Sequence, residues 1–449
     1  MNYLDRISEF ACDLQFKDIP VKVVDRAKWL LLDSFGVMLA GSSEQRIIQL
    51  SQTLEKKGSK GKSLFITNGY RGDAADAAMI NATSACAHVL DEGHKYARGH
   101  VGTYILPSVL AVAEEVGANF ESLLTAIVIG YEIAARFGMA CRVHESMHPS
   151  GTWGTIGAAA AVARMLKMSQ SDIRSTMNVA APLMLTTSWQ AATQGATVRD
   201  LYSGQGAANA VMAPRFVQAG FTGCEDDVSH VLGKVISHQF NAQTVHQTLG
   251  VEWELLRNYF KIHACCRNFQ SGIDAALALI KRHQLKSSDI EKITAHTFSI
   301  PVRDNAEINP INVLAAKESF PVSLALTLQH AICDQSVFTT EKIYDSEIKR
   351  LANSCTLIND PDLDALMPEK RPTRLTLQLK NGQNVSEYAE VAIGDPSIPL
   401  TPQQLDFKFD HLVQSELGAS QSDRIKEAVL NMSYETPTHQ LTQLLARAK

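Results

Sequence analysis

Residues 77–100 read AAMINATSACAHVLDEGHKYARGH. The stretch from Ala77 to Leu90 is mostly small and apolar, which predicts a core helix that its neighbours can approach closely. The stretch from Asp91 to His100 contains seven residues that can ionise. Helical sequence resumes from Ile105 to Val116, where Pro107 is expected in the first turn. A polar loop between two buried helices places proton-transfer groups at the edge of a core, which favours an enzyme.

The composition indicates a soluble globular protein with more than one domain. The chain has 449 residues, so two domains are expected and a third is possible. Hydrophobic residues make up 45% and charged residues 20%, which is typical of neither disordered nor fibrous proteins. The net charge of −5 gives no general attraction to nucleic acid or to an anionic membrane, so an anionic substrate requires a local basic cluster.

The same features predict a cytoplasmic protein. Residues 1–6 lack the basic and apolar regions of a signal peptide. Apolar runs are too short to predict a membrane span, since Arg164 soon closes even the run from Ala158 to Val162. Eight cysteines in a long chain without an export signal predict reduced thiols.

The pattern of small and apolar residues predicts a mainly α fold. Gly and Ala dominate residues 151–166 and recur through 204–219, which is typical of a compact core of many closely packed helices. The pattern then alternates like strands in Ile290–Phe298, Arg374–Leu379 and Val385–Ile393. Asn381-Gly382 joins the last two runs, which predicts a hairpin.

These patterns predict two domains. A large all-helical domain is expected from residues 1–268 together with 398–449, because the tail returns to a helical pattern from Thr401 to Ala448. A smaller α+β domain is expected from 269–397, inserted between the two helical parts as a lid.

The loop from Asp91 to His100 is the first segment with candidate chemistry. Asp91 is expected to accept a proton, while His100 or His94 donates one or binds a substrate carboxylate. Gly93, Gly99 and Gly102 suggest that the backbone lies close to another group. The alternative interpretation is a solvated loop whose charges pair with one another.

The second segment, residues 144–154, also joins two predicted helices. His148 is a candidate general acid or base, and Ser150 or Thr152 is expected to hold a carboxylate near a helix start. The alternative is that these residues only cap a helix and that Trp153 only packs between neighbouring elements.

The third segment, residues 194–204, contains Arg199. An arginine grips a carboxylate through two parallel hydrogen bonds. The alternative is an ion pair with Asp200 or with another acid.

The fourth segment, residues 261–268, lies at the expected domain boundary. Lys261, His263 and Arg267 are therefore interpreted as groups of a substrate cleft. The adjacent Cys265 and Cys266 do not predict a disulfide or a metal site, because no second Cys or His cluster has zinc-site spacing.

Several common signatures are missing from the sequence. It contains no Gly-Xaa-Gly-Xaa-Xaa-Gly after a strand, no P-loop and no Gly-Xaa-Ser-Xaa-Gly elbow. Basic residues do not interleave with aromatic residues along one stripe, so nucleic acid is not an expected partner. Acid–base chemistry on a small anion, without a cofactor, is the remaining interpretation.

In this order, the four segments resemble those of the MmgE/PrpD family, which includes 2-methylcitrate dehydratase, cis-aconitate decarboxylase and iminodisuccinate epimerase. The resemblance covers nearly the whole chain. Further matching stretches are AKWLLLDSFGVMLAG at 27–41, LYSG at 201–204 and AKESFP at 316–321.

The resemblance implies the helical domain with its inserted lid, a homodimer, and an active site in the cleft between the domains. It also implies a small di- or tricarboxylate substrate, with neither a metal nor an organic cofactor. Such enzymes remove a proton beside a carboxylate, then eliminate water, lose carbon dioxide or reprotonate the opposite face. The family's loop aspartate falls on Asp91, its loop histidine on His100, and its histidine before proline on His148.

Two departures from the family pattern affect the expected chemistry. Arg199 stands where the family often has lysine, and arginine is a very poor acid or base at neutral pH. Any proton-transfer role of the family's lysine is therefore expected to pass to His263 or Lys261 in this chain. In the first loop, Glu92-Gly93-His94 follows Asp91 where Asp-Phe-Asp-Asp is common, so His94 replaces an acid.

These features together predict a carboxylate-directed lyase or isomerase. Dehydration is the first expectation, and epimerisation or decarboxylation is the alternative. Arg199, Lys261 and Arg267 are expected to position substrate carboxylates. His148 or His263 is expected to remove the proton, with Asp91 or His100 on the opposite side. A non-catalytic helical scaffold that binds a carboxylate is the alternative outside the enzyme class.

Overall fold

The computed structural model describes residues 2–447, and this part of the chain is mainly helical. The helices are α1 (Tyr3–Asp13), α2 (Val21–Gly41), α3 (Gln45–Lys56), α4 (Ala74–Cys86), α5 (Gly102–Val116), α6 (Phe120–Ala140), α7 (Trp153–Met165), α8 (Gln170–Ala180), α9 (Trp189–Thr193), α10 (Val198–Gln218), α11 (Asp227–His230), α12 (Ala242–His246), α13 (Gln270–His283), α14 (Ser299–Asp304), α15 (Val313–Lys317), α16 (Phe320–His330), α17 (Thr340–Ile343), α18 (Ser346–Asn353), α19 (Pro361–Asp364), α20 (Pro402–Leu417), α21 (Ala419–Asn431) and α22 (Thr438–Thr442). The strands are β1 (Ser63–Leu64), β2 (Arg71–Gly72), β3 (Gly93–His94), β4 (Cys141–Val143), β5 (Ser237–Phe240), β6 (Asn258–Tyr259), β7 (Ile290–Thr297), β8 (Cys355–Asn359), β9 (Thr373–Leu379) and β10 (Asn384–Ala389).

Small residues bring the core helices into close contact, as the sequence predicts. A Cβ atom added to Gly157 in α7 would lie 2.6 Å from the backbone nitrogen of Ala134 in α6. One added to Gly204 in α10 would lie 2.1 Å from Thr83 Oγ1 in α4. At these two crossings a side chain of any size would push the helices apart.

Helix α5 begins earlier than expected. It starts at Gly102, so Pro107 lies inside the helix and the prediction that it occupies the first turn is wrong. The Glu92 side chain accepts a hydrogen bond from the Gly102 backbone nitrogen. This contact supplies a partner for one of the free amide groups of the first turn, and the helix starts ahead of the proline.

Helix α6 is long and apolar enough to cross a membrane by length and composition, contrary to the expectation from apolar runs. An 18-residue window within its 21 residues has a mean hydropathy of 1.5. However, 94% of that window is buried inside the molecule, so α6 is a core helix of a globular protein.

A four-stranded sheet lies between residues 290 and 389, with the strand order β10-β9-β7-β8. Strands β7 and β8 are parallel, whereas β7–β9 and β9–β10 are antiparallel. The expected hairpin is present, with Gly382 at φ 84°, although β10 ends at Ala389 before the expected Ile393. The sequence did not predict β8, because this edge strand is mostly exposed and lacks an alternating apolar face.

The C-terminal helices return to the N-terminal part of the chain. Lys408 of α20 forms an ion pair with Asp33 of α2 and donates to the Leu90 carbonyl oxygen at 3.0 Å. Phe409 of the same helix packs over Gly36. The domain bounds 1–268, 269–397 and 398–449 stay a prediction, and Met1, Ala448 and Lys449 lie outside the described residues.

Candidate active site

Two short strands hold the ionisable loop against a distant segment of the chain. Strand β3 (Gly93–His94) pairs antiparallel with β6 (Asn258–Tyr259), and this brings residues 258–267 alongside the loop. A Cβ atom at Gly93 would lie 2.4 Å from the Tyr259 hydroxyl oxygen. At Gly99 it would lie 2.6 Å from Cζ2 of Trp153. The prediction that these glycines bring the backbone close to other groups is confirmed.

A cavity of about 390 Å³ opens beside the loop. Its lining includes five of the nine predicted site residues, which are His100, His148, Arg199, Lys261 and Arg267. Asp91 lies directly behind them, in contact with both His100 and Lys261. The structure therefore brings together six predicted residues from all four segments. The cavity is large enough for a small organic ligand.

The Asp91 carboxylate and the Glu92 backbone fix the orientation of His100. The Nδ1 atom of His100 lies 2.7 Å from the Glu92 carbonyl oxygen and 3.0 Å from Asp91 Oδ2. Both neighbours are acceptors, so Nδ1 carries the hydrogen of a neutral ring. The ring nitrogen left to accept a proton from a ligand is Nε2.

Asp91 is ionised although it is buried. Burial acts to raise the pKa of Asp91, but the adjacent His100 ring and the charges of Lys261 and Arg199 outweigh it and hold that pKa well below its usual range. A negative charge next to His100 stabilises the imidazolium that forms when Nε2 takes a proton. The arrangement leaves His100 Nε2 free to accept a proton.

His148 has the opposite tautomer. Its Nδ1 atom accepts a hydrogen bond from the Ser150 backbone nitrogen at 3.1 Å, so Nε2 carries the hydrogen of the neutral ring. Burial, followed by the charge of Arg199 and by the nearby His100 ring, holds the pKa of His148 well below its usual range. The ring also stacks on Trp189, with 5.1 Å between the ring centroids. His148 is therefore a fixed neutral hydrogen-bond donor rather than a base.

Lys261 and Arg199 bring positive charge to the same wall of the cavity. Lys261 is fully buried, and its Nζ donates to the Val89 carbonyl oxygen at 2.6 Å and lies 3.4 Å from Asp91 Oδ1. Arg199 donates through Nη1 to the carbonyl oxygen of Cys86, the last residue of α4, at 3.0 Å.

The alternative interpretation of Arg199 is also realised in part. Arg199 Nη1 lies 3.5 Å from Asp200 Oδ1. Asp200 is shared, however, because Arg46 Nη2 lies 3.0 Å from its other carboxylate oxygen. The Nε atom of Arg199 has no hydrogen-bond partner among the described residues. This guanidinium group retains a donor for a ligand.

Besides Asp91, three predicted residues lie outside the cavity lining formed by residues 2–447: His94, Thr152 and His263. The first two are engaged inside the protein. His94 accepts at Nδ1 from the Ala97 nitrogen, and its Nε2 lies 3.1 Å from Glu254 Oε2. The Thr152 hydroxyl donates to the Pro149 carbonyl oxygen at 2.5 Å. The structure gives both side chains structural contacts instead of the expected contact with substrate.

His263 pairs with an acid away from the cavity. Its Nε2 atom lies 2.8 Å from Asp274 Oδ1. Burial acts to lower the pKa of His263, but the hydrogen bond and charge of Asp274 outweigh it and raise that pKa. The expectation that His263 removes a substrate proton is not supported, because the ring is held by Asp274 outside the lining.

The cavity also contains polar residues that the sequence did not identify: Arg98, Arg142, Tyr259, Glu318 and Arg371. Arg98 lies within the quoted loop, and Glu318 lies in the AKESFP stretch that supported the family resemblance. Arg371 follows no local motif, because its place in the cavity depends on how the sheet region folds over the helices.

Comparison with known proteins matches the chain to two domain models of one family. The model of the MmgE/PrpD N-terminal domain matches residues 5–241, and that of the MmgE/PrpD C-terminal domain matches 263–434. The cis-aconitate decarboxylase-like protein oryM of Aspergillus oryzae is 22% identical over 482 residues, with 99% of this chain and 97% of the relative covered.

Two further relatives extend across most of the chain. A cis-aconitate decarboxylase of Aspergillus terreus is 22% identical over 470 residues, covering 98% of this chain and 95% of its own. A cis-aconitate decarboxylase of Homo sapiens is 22% identical over 448 residues, covering 94% and 90%. The N-terminal model matches the first part of the chain and the C-terminal model matches the second, and together they span most of it. The chain belongs to the MmgE/PrpD family.

Proposed function

We propose that this protein is a cofactor-independent lyase that removes a proton beside a carboxylate of a small di- or tricarboxylate. The observation that carries the proposal is the pair of histidines in one cavity, with His100 Nε2 able to accept a proton and His148 Nε2 able only to donate. Arg199 and Lys261 supply the positive charge that an enolate-like intermediate requires.

Dehydration is the first reaction that this arrangement favours. The Nε2 atom of His100 takes the proton from the carbon beside the carboxylate, and Asp91 stabilises the imidazolium. The electrons of the broken C–H bond form the new double bond as the β-hydroxyl leaves. His100 returns its proton to that hydroxyl, so water is released and the enzyme is regenerated.

His148 contributes without transferring its proton. Its low pKa keeps the ring neutral, and a neutral imidazole gives up a second proton only with difficulty. The Nε2–H group therefore donates a hydrogen bond to a substrate oxygen on which charge develops. Arg199 and Lys261 stabilise the same negative charge from the side of α4 and the loop.

Decarboxylation is the second candidate, favoured by the names of the relatives. In that reaction the bond to one carboxylate breaks and carbon dioxide leaves. His100 first takes a proton from solvent. The electron pair then passes through the adjacent double bond to a carbon, which takes that proton from His100. The cations in the cavity would again stabilise the intermediate.

Proton NMR in deuterated water with citrate, 2-methylcitrate and cis-aconitate separates these reactions. A new vinyl signal from citrate, or a methyl signal on a new double bond from 2-methylcitrate, indicates dehydration when no carbon dioxide is found in the headspace. Carbon dioxide measured in the headspace indicates decarboxylation. Deuterium entering the substrate without a new double bond indicates epimerisation, the remaining alternative from the sequence.

A pair of variants tests the role of His100. His100→Gln is expected to lower kcat by about 10²–10⁴-fold, because the general base is removed. His263→Gln is the matched control and is expected to leave kcat unchanged, since His263 lies outside the lining. If neither His100→Gln nor His148→Gln affected turnover in folded protein, the proposal would be wrong and the carboxylate-binding scaffold would be favoured.

We also propose that residues 269–397 act as a lid over the cavity. An exposed ion pair supports this proposal, because Arg303 of α14 lies 3.1 Å from Glu145, which precedes His148 on the helical side. Both residues border the cavity. Small-angle scattering with and without tricarballylate would test it, since closure reduces the radius of gyration and a fixed arrangement leaves it unchanged.

We also propose a homodimer, which the family resemblance implies, and a cytoplasmic location, which the cysteine content predicts. Sedimentation velocity would show twice the mass of one chain if the dimer forms. Fractionation of cells that produce the protein would show it in the soluble cytoplasmic fraction.

A further inference from the structure

A second group of basic side chains borders the cavity on its solvent side. Arg98 and Arg142 are exposed and Arg371 is half-buried, and we refer to these three as the outer arginines. Within residues 2–447 no acidic side chain forms an ion pair with any of them. Arg303, at the same opening, differs because it pairs with both Glu145 and Asp304.

The outer arginines line the same cavity as the deeper Arg267. Burial lowers the pKa of Arg98, and the charges of Arg142 and Arg371 lower it further. Burial also lowers the pKa of Arg267, and the charge of Arg371 adds to that effect. The guanidinium groups therefore repel one another across the opening, and a bound anion would relieve this repulsion.

Several donors in this group lack partners. Arg267 is buried and donates through Nη2 to Asp395 at 3.1 Å, while its Nε and Nη1 have no partner among the described residues. Its guanidinium lies over the Tyr259 ring, 4.2 Å from the centroid, which fixes its plane. The Nε atom of Arg371 is also buried without a partner in the described chain. Such donors match the two oxygens of a carboxylate.

The backbone at Arg98 is strained in a way that keeps this side chain at the opening. Its φ is 57°, in the left-handed region that non-glycine residues rarely occupy. Gly99 follows directly, and a Cβ atom there would lie 2.6 Å from Cζ2 of Trp153, so the backbone is closely packed at this point. Strain of this kind persists where the surrounding structure enforces it, commonly at ligand sites.

The basic groups near His100 differ from the outer group because protein atoms already engage them. Lys261 contacts the Val89 carbonyl oxygen and Asp91, and Arg199 contacts the Cys86 carbonyl oxygen and Asp200. In the outer group only Arg267 has an acidic partner, and that partner, Asp395, is shared with Lys95. The uncompensated charge is thus on the solvent side, away from the proton-transfer groups.

We propose that the outer arginines and Arg267 form a second anion subsite, which holds a substrate carboxylate remote from the reacting carbon. The inference rests on the proposed function, because it assigns the second acidic group of the same substrate. It implies that the protein selects ligands with two separated carboxylates over ligands with one.

Calorimetric binding of two unreactive probes tests the subsite. The probes are glutarate and glutaramate, which have the same length but differ in the charge of one end. The protein is expected to prefer glutarate by about tenfold to a hundredfold, because only glutarate occupies both anion subsites. The double variant Arg98→Gln/Arg371→Gln is expected to lose most of this preference while still binding glutaramate.

Arg303→Gln is the matched control, because it removes an arginine at the same opening that is already paired, and it is expected to keep the preference. The single variants Arg98→Gln and Arg142→Gln change exposed residues, so they test the subsite even if the double variant fails to fold. Equal affinity of the native protein for the two probes would overturn the inference. So would an unchanged preference in the variants, or an equal loss of affinity for both probes.

The binding result and the turnover result can fail separately. If the protein turns over no carboxylate but still prefers glutarate in a way that depends on these arginines, the lyase proposal is wrong and the subsite proposal stands. If the protein turns over a carboxylate but its preference for glutarate does not depend on these arginines, the lyase proposal stands and the subsite proposal is wrong.

Discussion

Neighbouring atoms from other parts of the chain decide the protonation states of the two cavity histidines. His100 faces the Glu92 carbonyl and Asp91, whereas His148 accepts from the Ser150 nitrogen. The sequence identified both residues as acid–base candidates but assigned proton removal to His148 or His263, whereas the proposed mechanism assigns it to His100. A motif gives the residue type, while the tautomer depends on the three-dimensional position of an acceptor or donor.

The first prediction concerns the charge behind His100. Asp91→Asn is expected to lower kcat by about 10²–10³-fold, because the imidazolium loses its counter-charge. The loss is smaller than complete removal of the base, since the Glu92 carbonyl still holds the hydrogen on Nδ1. Steady-state kinetics with the substrate found by NMR would measure it. Asp274→Asn is the control, because Asp274 pairs with His263 outside the cavity lining, and a similar loss in this control would contradict the assignment.

The second prediction concerns Arg199, which stands where the family often has lysine. Arg199→Lys is expected to raise KM by about tenfold with a smaller change in kcat, because an ammonium group cannot bond the Cys86 carbonyl and a carboxylate in the same fork. The split between KM and kcat is the measurement. A rise in kcat would instead show that this position transfers a proton.

At the scale of helices and strands, the spacing of apolar residues predicted an element correctly where that element is half-buried or fully buried. The alternating run of β7 and the Asn381-Gly382 hairpin were predicted because each strand hides one face. Strand β8 was missed because its side chains are mostly exposed. The start of α5 was misplaced because a side chain from another loop, Glu92, supplies its first hydrogen bond.

The third prediction concerns the contact between α6 and α7. Gly157→Ala is expected to destabilise the protein by about 1–3 kcal/mol, because the new methyl group would meet the Ala134 backbone at 2.6 Å. Urea unfolding would measure the free energy. Gly36→Ala in α2 is the control: its methyl group would meet Phe409 and Leu412 side chains at 3.2 and 3.3 Å, and these can move. Equal destabilisation by the two variants would show that the α6–α7 contact tolerates an added methyl group as well as the contact at Gly36 does.

At the scale of the whole molecule, the site is assembled from segments far apart in the chain. The loop at 91–100 meets residues 258–267 through a two-residue ladder, and Arg371 arrives from the sheet region. Family resemblance predicted the segments that carry motifs. It could not predict the outer arginines, because their position depends on the packing of the sheet region against the helices rather than on a local pattern.

Buried carboxyl groups connect the loop with the central helices and make the stability of the whole molecule depend on pH. The Glu92 side chain accepts from the Gly102 nitrogen of α5 and from the Tyr131 hydroxyl of α6. Burial raises the pKa of Glu92 to about 8. Burial likewise raises the pKa of Glu132, on α6, to about 7. Both groups are protonated more readily in the folded protein than in the unfolded chain.

The fourth prediction follows from the sign of these shifts. Because the folded state keeps a proton on Glu92 that the unfolded chain releases near pH 4.5, its contribution to stability is complete below that pH. The contribution is lost as the pH rises through about 8. Between pH 6 and pH 8 this single group should remove about 2–3 kcal/mol from the free energy of unfolding.

Glu92→Gln tests this linkage, because the amide keeps an acceptor for Gly102 and cannot ionise. Urea unfolding at pH 6 and pH 8 is expected to show a smaller loss of stability in this variant than in the native protein. The loss that remains is assigned to Glu132, whose pKa is raised in the same direction. Glu9→Gln, at an exposed position of α1, is the control and should retain the full pH dependence. An unchanged pH dependence in Glu92→Gln would mean that the Glu92 carboxyl is already ionised in the folded protein, paired more strongly than its two hydrogen bonds imply.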